Sequence, residues 1–161
     1  MTKIVPHLWY VKEAVEAAEF YASILPNSRV DSVSDLPADS PSGPEGSVQI
    51  VEFTLLGQPF AAINAGPHHE FNDAISFMVE VDSQEELDRY WNALGEGGKF
   101  VACGWLNDRY GLRWQITPRR LTELMTTGDH AARRRVAEAM LKMVKLDIAT
   151  LEAAHQGRLA A

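Results

Sequence analysis

Five elements in a fixed order, a strand, a helix and three strands, occur twice in succession in this chain, and that duplication restricts the fold more than any other feature. In the first pass, residues 4–10, IVPHLWY, read as a strand. Residues 14–25, AVEAAEFYASIL, then set Val15, Ala18, Tyr21 (or Ala22) and Leu25 on one helical stripe, which Pro26-Asn27-Ser28 ends. A short strand near 28–34 leads into LPADSPSGPEG, residues 36–46, whose Pro, Ser and Gly mark a loop. SVQIVEFTLL and QPFAAIN, joined at Gly57, have the form of a hairpin.

The second pass starts at residues 74–81, AISFMVEV, with Ile75, Phe77, Val79 and Val81 on one face and Ala74, Ser76, Met78 and Glu80 on the other. Ser83-Gln84-Glu85-Glu86 is a capping box opening the helix EELDRYWNAL, and Gly95, Gly97 and Gly98 close it. The strand KFVAC, the run GWLND and the strand RWQIT follow. Two anchors tie the halves together: the double aromatics Phe20-Tyr21 and Tyr90-Trp91, and the glycine-to-aromatic spacing of GQPFAA from Gly57 and GLRWQI from Gly111. Identity between the halves is low, so the repeat rests on element order and these anchors.

Residues 129–155 lie outside the repeat and are helical, with Asp129 and Asp147 as caps of two segments broken near Leu146. Val136, Met140 and Met143 recur at helical spacing, a stripe read as packed core or dimer contact rather than a ligand groove. The expected architecture is α+β. Residues 1–128 form one domain, with modules at about 3–66 and 72–120, and residues 129–161 form a helical extension.

Composition excludes several classes of function. Hydrophobic residues at 46% and charged residues at 23% fit an ordinary globular chain rather than a disordered one. Fifteen Lys and Arg against 22 Asp and Glu leave a formal charge of -7, which argues against nucleic acid as a partner. The one basic run, Arg133-Arg134-Arg135, reads as solvated helix surface. The single cysteine, Cys103, cannot form an internal disulfide. The start MTKIVPHLWYV has neither a basic leader nor a long apolar run, and no stretch approaches the roughly 18 apolar residues of a membrane span. A cytoplasmic protein without a membrane partner is the expectation.

The order of elements and the motifs PHLWY, AAEFYASILPNS, GSVQIVEFTLLGQPFAAINAGP, AISFMVEVDSQEELDRYWNAL, GGKFVACGWLNDRYGLRWQITP and AMLKMVKLDIATLEAA together resemble the vicinal oxygen chelate superfamily. That superfamily includes glyoxalase I, extradiol dioxygenases and the fosfomycin- and bleomycin-resistance proteins. Within it the chain is similar to the PhnB-like branch, which carries the label 3-demethylubiquinone-9 3-methyltransferase domain. The resemblance implies two βαβββ modules that curl into cups around a small-molecule pocket, and a homodimer. It also implies a divalent metal held by His, Gln or Glu on the first and last strands of each module. By strand order those positions are His7, Ala61, Ala74 and Gln115. Two alanines donate nothing, and Gln115 stands where the family's enzymes place a charged Glu. The metal site is therefore expected to be incomplete, with His7 and Gln115 as its remaining ligands and no cofactor predicted. Left alone, His7 is a structural histidine sharing a strand face with Val5 and Trp9, and Gln115 is a hydrogen-bonding pocket floor or a polar side chain facing water.

The residues expected to line the pocket are His7, Trp9, Glu52, Ser76, Met78, Cys103, Trp105 and Gln115. Glu52 and Thr54 alternate with Val51, Phe53 and Leu55, which turns them toward the cavity. Trp105 shares a face with Cys103 and Asn107 and supplies an apolar or stacking wall. Cys103 reads as a small buried strand residue rather than a nucleophile, since no neighbour marks it for a lowered pKa. His68-His69-Glu70 reads as surface, and Asp108 and Arg109 as turn chemistry, with an anion clamp the alternative for Arg109.

The methyltransferase label gains nothing from these residues, because the glycines sit in hairpin turns and at helix ends rather than in a loop between a strand and a helix. No phosphate loop, HExxH or paired CxxC occurs either. Two functional classes follow. One is a protein that binds a small molecule between aromatic walls without chemistry. The other is a metal-dependent lyase, isomerase or transferase using His7 and Gln115 as ligands.

Overall fold

The computed structural model describes residues 4–158, so residue 3 of the first predicted module and the last three residues of the predicted extension lie outside the described residues. Two compact units divide at Phe71 and Asn72. Each contains one pass of the repeat.

In the first unit β1 (His7–Tyr10), α1 (Ala14–Ile24), β2 (Arg29–Asp35), β3 (Gln49–Leu55) and β4 (Gln58–Asn64) make a four-stranded sheet in the order β1-β4-β3-β2. The opening strand runs parallel to the closing one, with His7 opposite Ala61 and Trp9 opposite Ile63. Strand alternation sends Leu8, Tyr10, Val51, Phe53, Phe60 and Ala62 to one face, where all are buried. Against that face α1 packs Ala14, Ala17, Ala18 and Tyr21, and the Tyr10 and Tyr21 hydroxyls meet at 3.1 Å. Alanines at three of these positions let the helix approach closely, whereas Val15 stays half-buried at the stripe's edge.

The second unit repeats the plan with β5 (Phe77–Val81), α2 (Gln84–Gly95), β6 (Lys99–Phe100), β7 (Trp105–Asn107) and β8 (Arg113–Pro118), in the order β5-β8-β7-β6. The duplication read from element order is present, with the same strand order in both halves. Ser83 caps α2 by accepting from the Glu86 backbone N–H at 3.1 Å. The Glu86 carboxylate reaches back to the N–H of Asp82, one residue before the capping position.

Several expectations need correction. The predicted strand 74–81 begins only at Phe77, and Ile75, assigned to the buried face, is 73% exposed. Asn72 Oδ1 accepts from the Ala74 N–H in a local turn, which delays entry into the sheet. The strand KFVAC shrinks to Lys99–Phe100, and Cys103 sits beyond it in a turn with φ 53°, half-buried rather than buried in a strand.

A helix not foreseen, α3 (Arg119–Thr126), follows β8 directly. Its N-cap is Pro118, without a capping side chain, and it buries Leu121 and Leu124. The terminal helices α4 (His130–Met140) and α5 (Ile148–His155) are capped as expected by Asp129 and Asp147. The break spans residues 141–147 and so includes Leu146, as expected. Arg135 is not simply solvated surface: its Nε and Nη2 donate to the carbonyls of Ala154 and His155 at 2.8 and 2.7 Å, closing the C-terminus of α5.

The segment between α4 and α5 belongs to the second unit's core. Leu146 is fully buried, Gln84 of α2 donates to its carbonyl at 3.2 Å, and the N–H groups of Cys103 and Gly104 donate to the carbonyls of Met143 and Val144. Lys145 meets Asp88 at 2.7 Å. Hydrogen bonds from Lys145 first, and then from Gln84, hold the Asp88 carboxyl below its usual range. A carboxylate depressed on folding stabilises the fold above about pH 4, and that contribution is lost as pH falls through the lowered folded value. Lys145→Met is expected to flatten this part of the acid limb in denaturation series between about pH 5 and pH 2, by a small amount because both groups are partly exposed.

Candidate functional site

In each unit the sheet face turned away from its helix carries the candidate residues, and the register arranges them in rows. In the first unit one row runs His7, Ala61, Glu52, Ser32 across four strands, and the next runs Trp9, Ile63, Ile50, Ser34. Glu52 accepts from the Ser32 hydroxyl at 2.8 Å, so its carboxylate is engaged on the side of the row away from His7. The Trp9 indole N–H donates to the Gly66 carbonyl at 2.9 Å, which fixes the ring.

Around Trp9 a cavity of about 390 Å³ opens. Ile63, Ala65, Val48 and Leu36 form its apolar side, and Ser40, Ser42, His68 and His69 bring polar groups. Both imidazoles approach the Trp9 indole edge to face, at centroid distances of 6.2 Å for His68 and 4.8 Å for His69. Their sequence context predicts plain surface for these histidines. They remain exposed, yet they border the same cavity as Trp9. No local pattern announces this, because the contact depends on β4 returning the chain beside β1.

In the second unit the corresponding row is Met78, Gln115, Trp105. The Gln115 amide donates to the Ser76 hydroxyl at 2.8 Å. Beside it Arg113 pairs with Asp73 at 2.8 Å and donates to the Gly111 carbonyl. Asp108 does the turn work expected of it: it is 3% exposed and accepts from the N–H groups of Tyr110 and Leu112 and from the Trp114 indole. Arg109 lies against Glu96, at 3.5 Å, and donates to its carbonyl. Of the eight expected pocket residues, His7, Trp9 and Glu52 share the open face of the first sheet, and Met78, Trp105 and Gln115 that of the second, with Ser76 joined to it through Gln115. Cys103 shares no strand face with Trp105, because it lies outside β7.

The parallel pairing also corrects the correspondence between modules. His7 faces Ala61 across β1 and β4, and Gly57 precedes Ala61 by the spacing at which Gly111 precedes Gln115. Gln115 faces Met78. The position matching His7 is thus Met78, not Ala74, which precedes β5.

The four matched positions are His7, Ala61, Met78 and Gln115, and they do not fit a divalent metal. They offer one imidazole, one amide already bonded to Ser76, one soft thioether and nothing. Among the described residues no group of three or more His, Cys, Asp or Glu side chains is placed to hold an ion.

Residues 2–117 match the family described as 3-demethylubiquinone-9 3-methyltransferase. Among solved structures the chain is similar to a putative 3-demethylubiquinone-9 3-methyltransferase, PhnB protein, from Bacillus cereus, at 34% identity and a TM-score of 0.64, covering 73% of this chain and 99% of that one. It is also similar to a protein from Pseudomonas aeruginosa, at 24% identity and a TM-score of 0.54, covering 73% and 98% of the two chains. A third, the fosfomycin resistance protein FosX from Listeria monocytogenes complexed with Mn(II) and sulfate, shares the fold at 16% identity and a TM-score of 0.50, covering 72% and 92%. None of the curated proteins matches the chain. The methyltransferase designation finds no support in the FosX likeness, nor in the strand-to-helix turns, since Val11-Lys12-Glu13 and Asp82-Ser83 contain no glycine. No helix among the described residues is long and apolar enough to cross a membrane.

Proposed function

Because this chain belongs to the PhnB-like 3-demethylubiquinone-9 3-methyltransferase family of the vicinal oxygen chelate superfamily, we propose that it binds a small organic molecule on the open sheet faces without a metal ion. The observation carrying this reading is the exchange of ligand positions: Ala61 opposite His7, and Met78 opposite a Gln115 whose amide is bonded to Ser76. A face that keeps aromatic walls and hydrogen-bonding groups, but whose carboxylate, Glu52, is engaged by Ser32 and whose matched positions carry no charged ligand, is suited to holding a molecule rather than polarising it. The cavity beside Trp9, at about 390 Å³, falls within the roughly 300–1,000 Å³ of small-molecule sites. Its composition favours a flat apolar body with one hydrogen-bonding edge, resting on Trp9 and Ile63 and reaching Ser40, Ser42 or the imidazoles.

The competing reading is a divalent-metal-dependent enzyme with the ion on His7 and Gln115, and the Mn(II) held by FosX on the same fold is what favours it. Metal analysis of the full chain purified without chelator, with calorimetric titration of Mn(II) and Zn(II), separates the two. We expect substoichiometric metal and no saturable heat, with His7→Ala unchanged. One equivalent of tightly held ion that His7→Ala releases would sink the binding-protein reading. A cytoplasmic homodimer completes the proposal, and sedimentation velocity at micromolar concentration tests the dimer.

A further inference from the structure

The second unit holds a cavity of about 520 Å³ between α4 and α5, in the part of the chain beyond residues 2–117 that match the family. Its floor is apolar or small: Ala139, Met143, Ala154 and Gly157. The Met143 end of the stripe that the sequence suggested for core packing therefore faces open space. Three cations, Arg135, Lys142 and Arg158, line it against one anion, Glu138. In a chain of formal charge -7 this is a local reversal of sign.

The charges differ in how far they are already satisfied. Glu138 is paired with Arg134 at 2.7 Å, and that pairing, with Lys142 as a lesser contributor, holds its carboxyl below the usual range, so it stays ionised and compensated. Arg135 spends its Nε and Nη2 on the last carbonyls of α5, which keeps its guanidinium fixed at the wall and leaves further N–H donors. Gly157 turns the chain after α5 at φ 71°, a left-handed conformation that favours glycine, and the Arg135 guanidinium lies in ordinary contact distance of it, 3.6 Å from where a Cβ would stand. Lys142 and Arg158 are exposed, and although their backbone N–H groups donate to the Ala139 and Ala153 carbonyls, their side chains make no hydrogen bond or ion pair among the described residues. An anion in the cavity would meet one immobilised guanidinium and two exposed cations whose side chains are held in no hydrogen bond, and an attached apolar segment would cover Ala139, Met143 and Ala154.

We propose that this cavity is a second binding site, for a small molecule with one anionic group, a carboxylate or its like, on a short apolar body. It is independent of the open sheet faces, and its ligand needs neither a metal nor Gln115. The charge pattern sets the sign of the ligand, and the floor sets its apolar part.

The probe is octanoate, titrated by calorimetry into the full chain, with octylammonium as the charge-reversed control. Amide shift perturbation by NMR locates the site. Saturable octanoate binding is expected, with shifts at Thr150, Gly157 and Lys142 and none for octylammonium. Lys142→Glu and Arg158→Glu, both at exposed positions, are expected to weaken octanoate about tenfold each, with unchanged melting temperature and unchanged response to divalent ions. Four outcomes overturn the proposal: no octanoate binding, equal binding of octylammonium, shifts confined to the Trp9 cavity, or self-association that the two variants abolish, which would make the groove a contact between copies. Failure at this site with a metal-free Trp9 cavity intact would leave the proposed function standing, and the reverse result would leave this site standing.

Discussion

Asp108→Ala is expected to cost about 3–5 kcal/mol of folding stability, read from guanidinium denaturation at neutral pH. The carboxylate is 3% exposed, and it accepts from the N–H groups of Tyr110 and Leu112 at 2.8 and 3.0 Å and from the Trp114 indole at 2.9 Å. Hydrogen bonds to a charged group contribute about 1.5–3 kcal/mol each, and the buried indole donor would have no solvent to replace its partner. Asp108→Asn keeps the shape but presents an NH2 where a donor already points, so an intermediate loss of about 2 kcal/mol is expected. A cost below about 1 kcal/mol for the alanine variant would show that water replaces the carboxylate. The loss reaches the candidate site because this turn sets the register of β7 against β8, and thereby the pairing of Trp105 with Gln115.

Leu146→Ala is the second large effect, about 3 kcal/mol, the middle of the range for a buried leucine truncated in a packed core. Leu146 is fully buried, and a Cβ on Gly104 would stand 2.9 Å from its Cδ1 and equally close to the Ile116 carbonyl oxygen. Gly104, at φ 83°, is thus required both by backbone conformation and by this close approach. If the segment between α4 and α5 is part of the second unit's core, hydrogen exchange in Leu146→Ala should quicken in β8 as well as in the terminal helices. Protection lost only from α4 and α5 would mean that the extension unfolds on its own.

What the sequence disclosed and what it withheld follow from the range of the forces involved. The twofold βαβββ order and the last helix were legible because strand alternation, the Ser83 cap in the repeat and the Asp147 cap beyond it are local signals, each acting within a few residues. α3 was not, because its N-cap is Pro118, with no capping side chain, and it shows only two buried leucines. Alternation throughout AISFMVEV points to Ala74 as a ligand position, whereas the sheet takes the segment up only at Phe77. Periodicity does not report where pairing begins, and Met78 emerged only from its register with Gln115. The edge contacts of His68 and His69 with Trp9 join residues far apart in sequence, as does the reach of Arg135 to the end of α5. Such contacts leave no periodic trace.

The pairing of β1 with β4, and of β5 with β8, has a consequence for biosynthesis. Neither sheet can close until its last strand has left the ribosome, so each module must wait through most of its own translation with an unpaired opening strand. The first unit can complete itself once Asn64 has emerged, while the second gains its Leu146 anchor only near the end of synthesis. Nascent chains released early, between Pro118 and Leu146, should therefore carry a finished first half and a vulnerable second one.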